Sequence, residues 1–241
     1  MLFLPVYFSA PGYAVSLFDA SFFANGESYT ELAVLDGKEQ RAVTTYERKL
    51  FNGKECYWIT MEYEGGRDVV ILDDSLQPIK AIKERDKEGT YEIEYGEKKI
   101  VMKKNGKVVK EKKREQKKVY LQRESIFFCL RGYDFVKKPT LQVVMVDFDF
   151  EAYDMEISYV KDVVKTTGMG SFDCHELLAG PAGLGKIFAA RYKNYYYYTK
   201  KFPHYFIYYY NTFMPLEVTV VSNTRMENKE GLSSDDQQQN C

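Results

Sequence analysis

The side chains best suited to nucleophilic or metal chemistry are few: His175 and His204 are the only imidazoles, and Cys56, Cys129, Cys174 and Cys241 the only thiols. No CxxC, HxH or HExxH spacing links them, so no zinc site is expected. There is no GxxxxGK[ST] phosphate loop and no GxSxG elbow. Asp173, Cys174, His175 and Glu176 stand in a row. On a strand, Asp173 and His175 project to one face and Cys174 and Glu176 to the other, which is poor geometry for a Cys–His dyad. A nucleophile pairing of His204 with Cys174 or Asp173 requires the two side chains to meet in a pocket. His204 follows Pro203 between two tyrosine-rich strands, where binding a backbone carbonyl at a turn is the simpler role. Gly180–Gly185 (GPAGLG) contains GxxGxG, but the chain from Ile187 reads as strand rather than helix, so a hairpin loop is expected there. The sequence therefore predicts no catalytic residue, no metal ligand and no cofactor, and a protein that is not an enzyme.

Tyrosine is the unusual component. The chain holds 21 Tyr and 16 Phe, concentrated late in Tyr195–Tyr198 and Tyr208–Tyr210. Rings on a convex sheet face would interlock as cross-strand pairs; rings on a concave face would line a pocket with apolar bodies and hydroxyls at the rim. On that basis Tyr196, Tyr198, His204 and Tyr208 are the candidate ligand-binding residues. Charge is nearly balanced, 34 Lys+Arg against 35 Asp+Glu, which argues against a nucleic-acid partner. Between Lys98 and Lys118, however, basic residues far outnumber Glu111 and Glu115. Such a patch could hold lipid phosphates at a membrane surface, but lysines guarding an exposed sheet edge are the simpler reading.

The elements that must position these residues read as strands. Asp36-Gly37, Asn52-Gly53 and Asn105-Gly106 are hairpin dipeptides, each flanked by β-prone runs. Tyr91–Tyr95 (YEIEY) alternates with period two, placing Tyr91, Ile93 and Tyr95 on one face. Further strands are expected at Leu141–Phe150, Met155–Val164, Ser171–Leu178, Ile187–Thr199, His204–Tyr210 and Glu217–Ser222. Gln116–Leu130 is the one helix expected, strongest at Ser125–Leu130 and ended by Gly132. So many strands cannot lie flat, because twist accumulates. The predicted fold is mainly β: a single large curved antiparallel sheet or open barrel, over residues 15–222, with one short helix. Met1–Ala14 is apolar and resembles a signal segment without its basic start. Residues 223–241 are too polar to fold and are expected to form a disordered tail.

From Lys165 to Ser222 the order of residues resembles a family of uncharacterised bacterial proteins known as a domain of unknown function. The likeness rests on Gly170–Cys174, Tyr195–Tyr198 and Pro203-His204, with Phe23–Tyr29, the Asp73–Pro78 turn and Ser125–Gly132 agreeing upstream. The resemblance implies a lipocalin-like or lipoprotein-carrier-like curved sheet, an export signal, and no established catalytic residue. It points to an exported protein of the periplasm or cell envelope that binds an apolar ligand, such as a lipid or a lipoprotein acyl chain. The alternative is a structural or protein-interaction module of the envelope, its sheet filled by its own tyrosines.

Overall fold

The computed structural model describes residues 17–183 and 193–226. The Met1–Ala14 segment, residues 227–241, and Leu184 and Gly185 of the glycine motif lie outside the described residues. Fifteen strands form one sheet: β1 (Glu27–Leu35), β2 (Lys38–Phe51), β3 (Lys54–Tyr63), β4 (Gly66–Leu72), β5 (Pro78–Arg85), β6 (Gly89–Tyr95), β7 (Lys99–Lys104), β8 (Lys107–Lys113), β9 (Tyr120–Gln122), β10 (Thr140–Val146), β11 (Ala152–Thr167), β12 (Gly170–Pro181), β13 (Asn194–Thr199), β14 (Phe206–Asn211) and β15 (Leu216–Asn223). Their spatial order is 8-7-6-5-4-3-2-1-15-14-13-12-11-10-9. The chain thus meanders outward from β1 to β8, restarts at β9 on the far edge, and returns to place β15 beside β1. All pairings are antiparallel except β9–β10, which is parallel.

Local chemistry explains the meander. Asp36, Asn52 and Asn105 hold φ near +50°, each followed by a glycine at positive φ, as the tight hairpins require. β8 is the first edge of the sheet, and all seven of its residues are exposed. The lysine-rich segment is thus a solvated edge. Among the described residues the two edge strands are not paired; side chains cross the seam, as in Lys110–Glu151 at 3.1 Å and the Tyr95 hydroxyl donating to Gln122.

The concavity is plugged. A short helix, α1 (Ile126–Cys129), lies between two 3-10 turns, Arg123–Ser125 and Leu130–Gly132. Four residues cannot hold a helix by propensity alone, so packing must. The Phe128 ring sits 4.6 Å from that of Tyr46 and 4.9 Å from Phe22, with Tyr57 and Phe23 beyond. Phe127 stacks on Phe206 at 4.0 Å. Phe22 belongs to a third 3-10 turn, Ala20–Phe22, which reaches the plug where the Asp19 N–H donates to the Gly132 carbonyl. A Cβ at Gly132 would stand 2.3 Å from the Asp19 oxygen, so only glycine fits this contact. At the centre, Arg131 and Glu27 form a fully buried two-pronged ion pair, 2.9 and 3.2 Å.

Five sequence expectations change. The expected helix Gln116–Leu130 keeps only its last third: Tyr120–Gln122 is strand β9. That strand is buried on both faces, so its apolar run carries no period to distinguish it from helix. The strand expected at Leu141–Phe150 stops at Val146. There the Asp147 carboxylate accepts the N–H groups of Asp149 and Glu151 and folds the chain into a turn, with Phe150 at φ +58°. Of the strand expected at Ile187–Thr199, residues 187–192 lie outside the described residues, Lys193 is not in a strand and β13 runs from Asn194; the strand expected at His204–Tyr210 begins at Phe206. Asn223, expected in the tail, ends β15 and is buried against Glu27.

Replacing Arg131 by methionine strands the buried Glu27 carboxylate without its guanidinium. The expected loss of unfolding free energy in a urea titration is about 3–5 kcal/mol. Most of it should return in the double variant Glu27→Leu/Arg131→Met, which removes both charges. A single-variant loss below about 1 kcal/mol would show the pair to be dispensable.

Candidate functional site

The sequence-selected residues are not brought together. Register explains why. On β13 and β14, Tyr197 pairs with Tyr208 but Tyr198 pairs with Phe206, leaving Ile207 as an extra residue. This bulge exchanges the two faces of β14. Tyr208 therefore joins Tyr197 on the outer face, where the Lys165 ammonium lies 3.3 Å from its ring centre. Tyr209, which alternation alone would have turned outward, faces inward beside Tyr196 with ring centres 5.0 Å apart. Tyr198 is fully used by the plug: it is buried, and its hydroxyl approaches the Ile126 and Phe127 carbonyls at 3.5 and 3.4 Å. His204 bonds the Thr199 carbonyl through Nδ1 at 2.9 Å, and burial pushes its pKa down. Among the described residues it borders a minute crevice, shared with His175, Leu130 and Tyr198.

Cys174 is separated from His204. The thiol is buried on the outer face with Tyr205 and Ile207, and burial pushes it up to about 11. His175 points the other way and pairs with Asp162 at 2.7 Å, an aspartate also bound by Lys200 and Tyr159. Those contacts hold the Asp162 carboxyl down at about 2. Cys56, Cys129 and Cys174 are all free and buried.

Among the described residues, two clefts flank the segment that enters the plug. The first, about 440 Å³, is walled by β1–β3, β15 and the plug, with Ala42, Met61, Phe127, Tyr209 and Val218 as its apolar part. Its polar part is Glu31, Glu64, Asp68, Arg85, Arg123 and Glu124. The second, about 510 Å³, lies toward β10–β14 and is lined by Ile126, Met145, Tyr153, Met155, Pro181, Tyr196 and Tyr209, with Arg123, Asp147, Asn194 and Asn211 as polar members. Tyr196, Tyr209, Ile126 and Arg123 are common to both. In the second cleft Tyr209, Asn211 and Asn194 are tied to one another. The Tyr209 hydroxyl and the Asn211 amide both donate to Asn194 Oδ1, at 2.7 and 2.8 Å.

The first cleft is electrostatically costly. Glu31 is 5% exposed and its Oε2 has no hydrogen-bond partner; burial pushes its carboxyl up to about 7. Burial and the charge of Glu124 push Asp68 up to about 7 as well, although Arg85 stands 2.9 Å away and Tyr63 donates to the same oxygen. Glu124 is raised in turn by burial, and accepts from Gln122. Of the residues chosen from sequence, only Tyr196 lines either of the two clefts. Tyr209, Arg123 and Glu31 were missed. Alternation along β1 could have placed Glu31 with Glu27 and Tyr29 on one face, but nothing in the sequence shows that this face is the inner one.

No protein-family model and no curated protein matches the chain. Solved structures do. A β-barrel-like protein of the domain of unknown function DUF1849 from Brucella abortus superposes with a TM-score of 0.55 at 9% identity, covering 83% of this chain and 97% of that one. A Bacteroides fragilis chain named a "putative exported protein with YmcC-like fold" covers 83% and 96% at 10% identity, with a TM-score of 0.27. A "putative lipoprotein" from Parabacteroides distasonis covers 84% and 98% at 12% identity, with a TM-score of 0.32. The Brucella likeness shows the fold: an open, barrel-like sheet of the kind found in a bacterial domain of unknown function, as the sequence resemblance implied.

The buried carboxyls make stability depend on pH. Glu31 ionises near 7 when folded against an ordinary 4.5, so the folded state holds an extra proton between those values. Stability then falls as pH rises through that window. At pH 8 the cost from Glu31 is at most about 3 kcal/mol. Glu31→Gln should leave the melting temperature nearly unchanged at pH 4 and raise it at pH 8. An equal pH 4 to pH 8 drop in wild type and variant would rule out Glu31 as the source.

Proposed function

We propose that the protein is a non-enzymatic binding protein of the bacterial cell envelope that holds an apolar or amphipathic molecule, such as a lipid or an acyl chain, against the inner face of its sheet. The observation that carries this reading is the second cleft. Its volume falls in the range of small-molecule sites, and its walls are two methionines and three tyrosines with a few fixed polar groups, the composition such sites favour. The envelope location rests on the apolar Met1–Ala14 segment and the resemblance described above. Among the described residues no helix is long and apolar enough to cross a membrane.

A second reading keeps the same fold without a ligand. The plug supports it: Phe127 and Phe128 already occupy the middle of the concavity. In that case the protein would be a structural or interaction module of the envelope.

N-phenylnaphthylamine, an uncharged probe that brightens in apolar surroundings, separates the two. Binding is expected in wild type. It should weaken about tenfold in Met155→Trp, whose indole fills the cleft, while the unfolding free energy from a urea titration stays within about 0.5 kcal/mol of wild type. Native mass spectrometry after gentle purification should also show a co-purified amphiphile. An unliganded mass together with no probe binding would favour the second reading.

A further inference from the structure

The two clefts meet at one side chain, a cation that closes no ion pair, although Glu124 and Asp147 stand near enough for its charge to favour their ionised forms. Arg123 is exposed and lines both clefts; its carbonyl accepts the Ile126 N–H, but its guanidinium makes no ion pair or hydrogen bond among the described residues. Its backbone is held firmly. Gln122, fully buried, accepts from the Tyr95 hydroxyl and donates to Glu124, and the Ser125 hydroxyl donates to the Gln122 carbonyl at 2.8 Å. The guanidinium is near enough to Tyr153, Tyr196 and Tyr209 for its charge to lower the pKa of each phenol against the opposing effect of burial. The second cleft holds one other charged side chain, Asp147, whose Oδ1 is engaged by two backbone N–H groups of its own turn. The first cleft carries four carboxyls, so an anion is disfavoured on that side.

We propose that the occupant is a single-chain amphiphile with an anionic oxyanion head, carboxylate or phosphate, which pairs with Arg123 while the chain lies in the second cleft against Met145, Met155 and Tyr196. This assignment rests on the cleft being the binding site argued above. A guanidinium offers a planar fork of donors to such a head, and the flanking apolar walls lower the dielectric in which the pair forms. The occupant is thereby distinguished from a neutral lipid and from a cationic amphiphile.

Calorimetric titration of the full chain with dodecanoate, dodecyl phosphate, dodecanol, dodecylamine and inorganic phosphate alone tests this. Both anionic amphiphiles should bind about tenfold more tightly than dodecanol, and dodecylamine more weakly than either. Inorganic phosphate should not bind at comparable concentration; if it binds as well as dodecyl phosphate, the site is a phosphate site and the amphiphile is wrong. In Arg123→Gln the advantage of dodecanoate over dodecanol should vanish, and Arg123→Lys should restore part of it. Equal affinity of all the twelve-carbon ligands in wild type would overturn the head-group assignment while leaving the cleft as a binding site. Binding of none of them would remove both.

Discussion

Everything inside the sheet depends on one ion pair. Glu27 on β1 and Arg131 in the turn after α1 are both cut off from water. Removing two charges from water costs several kcal/mol each, so the pair is tolerable only because the remaining donors and acceptors are met. Asn223 at the end of β15 donates to Glu27, Arg225 stands 3.6 Å from it, and the Arg131 Nε approaches the Pro203 carbonyl. The guanidinium also lies over the rings of Phe22, Tyr46 and Tyr205. A hydrophobic contact could slide; a forked pair has one geometry. It therefore sets where the plug sits, and the plug sets the walls of both clefts.

This arrangement gives the family resemblance a physical meaning. The motifs that carry it are scattered over the sequence, yet several converge here. Glu27 comes from the Phe23–Tyr29 segment, Arg131 from Ser125–Gly132, and the Pro203 carbonyl from Pro203-His204. The Asp73–Pro78 turn joins them through Leu76, fully buried at φ +59°, whose carbonyl lies against the Cys129 thiol. Four of the six short matches thus meet at one packed junction around the plug.

Most of the sheet was legible because hairpins are local. Asn-Gly and Asp-Gly pairs announce their turns, and strands such as Tyr91–Tyr95 show their faces by alternation. The candidate site was not, because it depends on events that leave no period in the sequence. A single extra residue, Ile207, turned Tyr208 out and Tyr209 in. Arg123 looked like part of a longer helix, since the doubly buried β9 has the apolar density of a helix segment. Which face of each strand becomes the inside is decided by the curl of the whole sheet, and the plug that occupies the inside is only four helical residues long.

The pairing of β1 with β15 has a consequence for how the chain reaches this state. The Ser28 N–H is bonded to the Thr224 side chain across a sequence separation of 196 residues. The centre of the sheet is thus the last seam for which both halves exist during synthesis. Until β15 emerges, β1 offers a bare ladder of backbone donors and acceptors, and Glu27 has no Asn223 to meet it. Contacts so distant along the chain make for slow assembly and a long-lived sticky edge. A chain built this way gains from being kept extended, or escorted, until its final strand arrives.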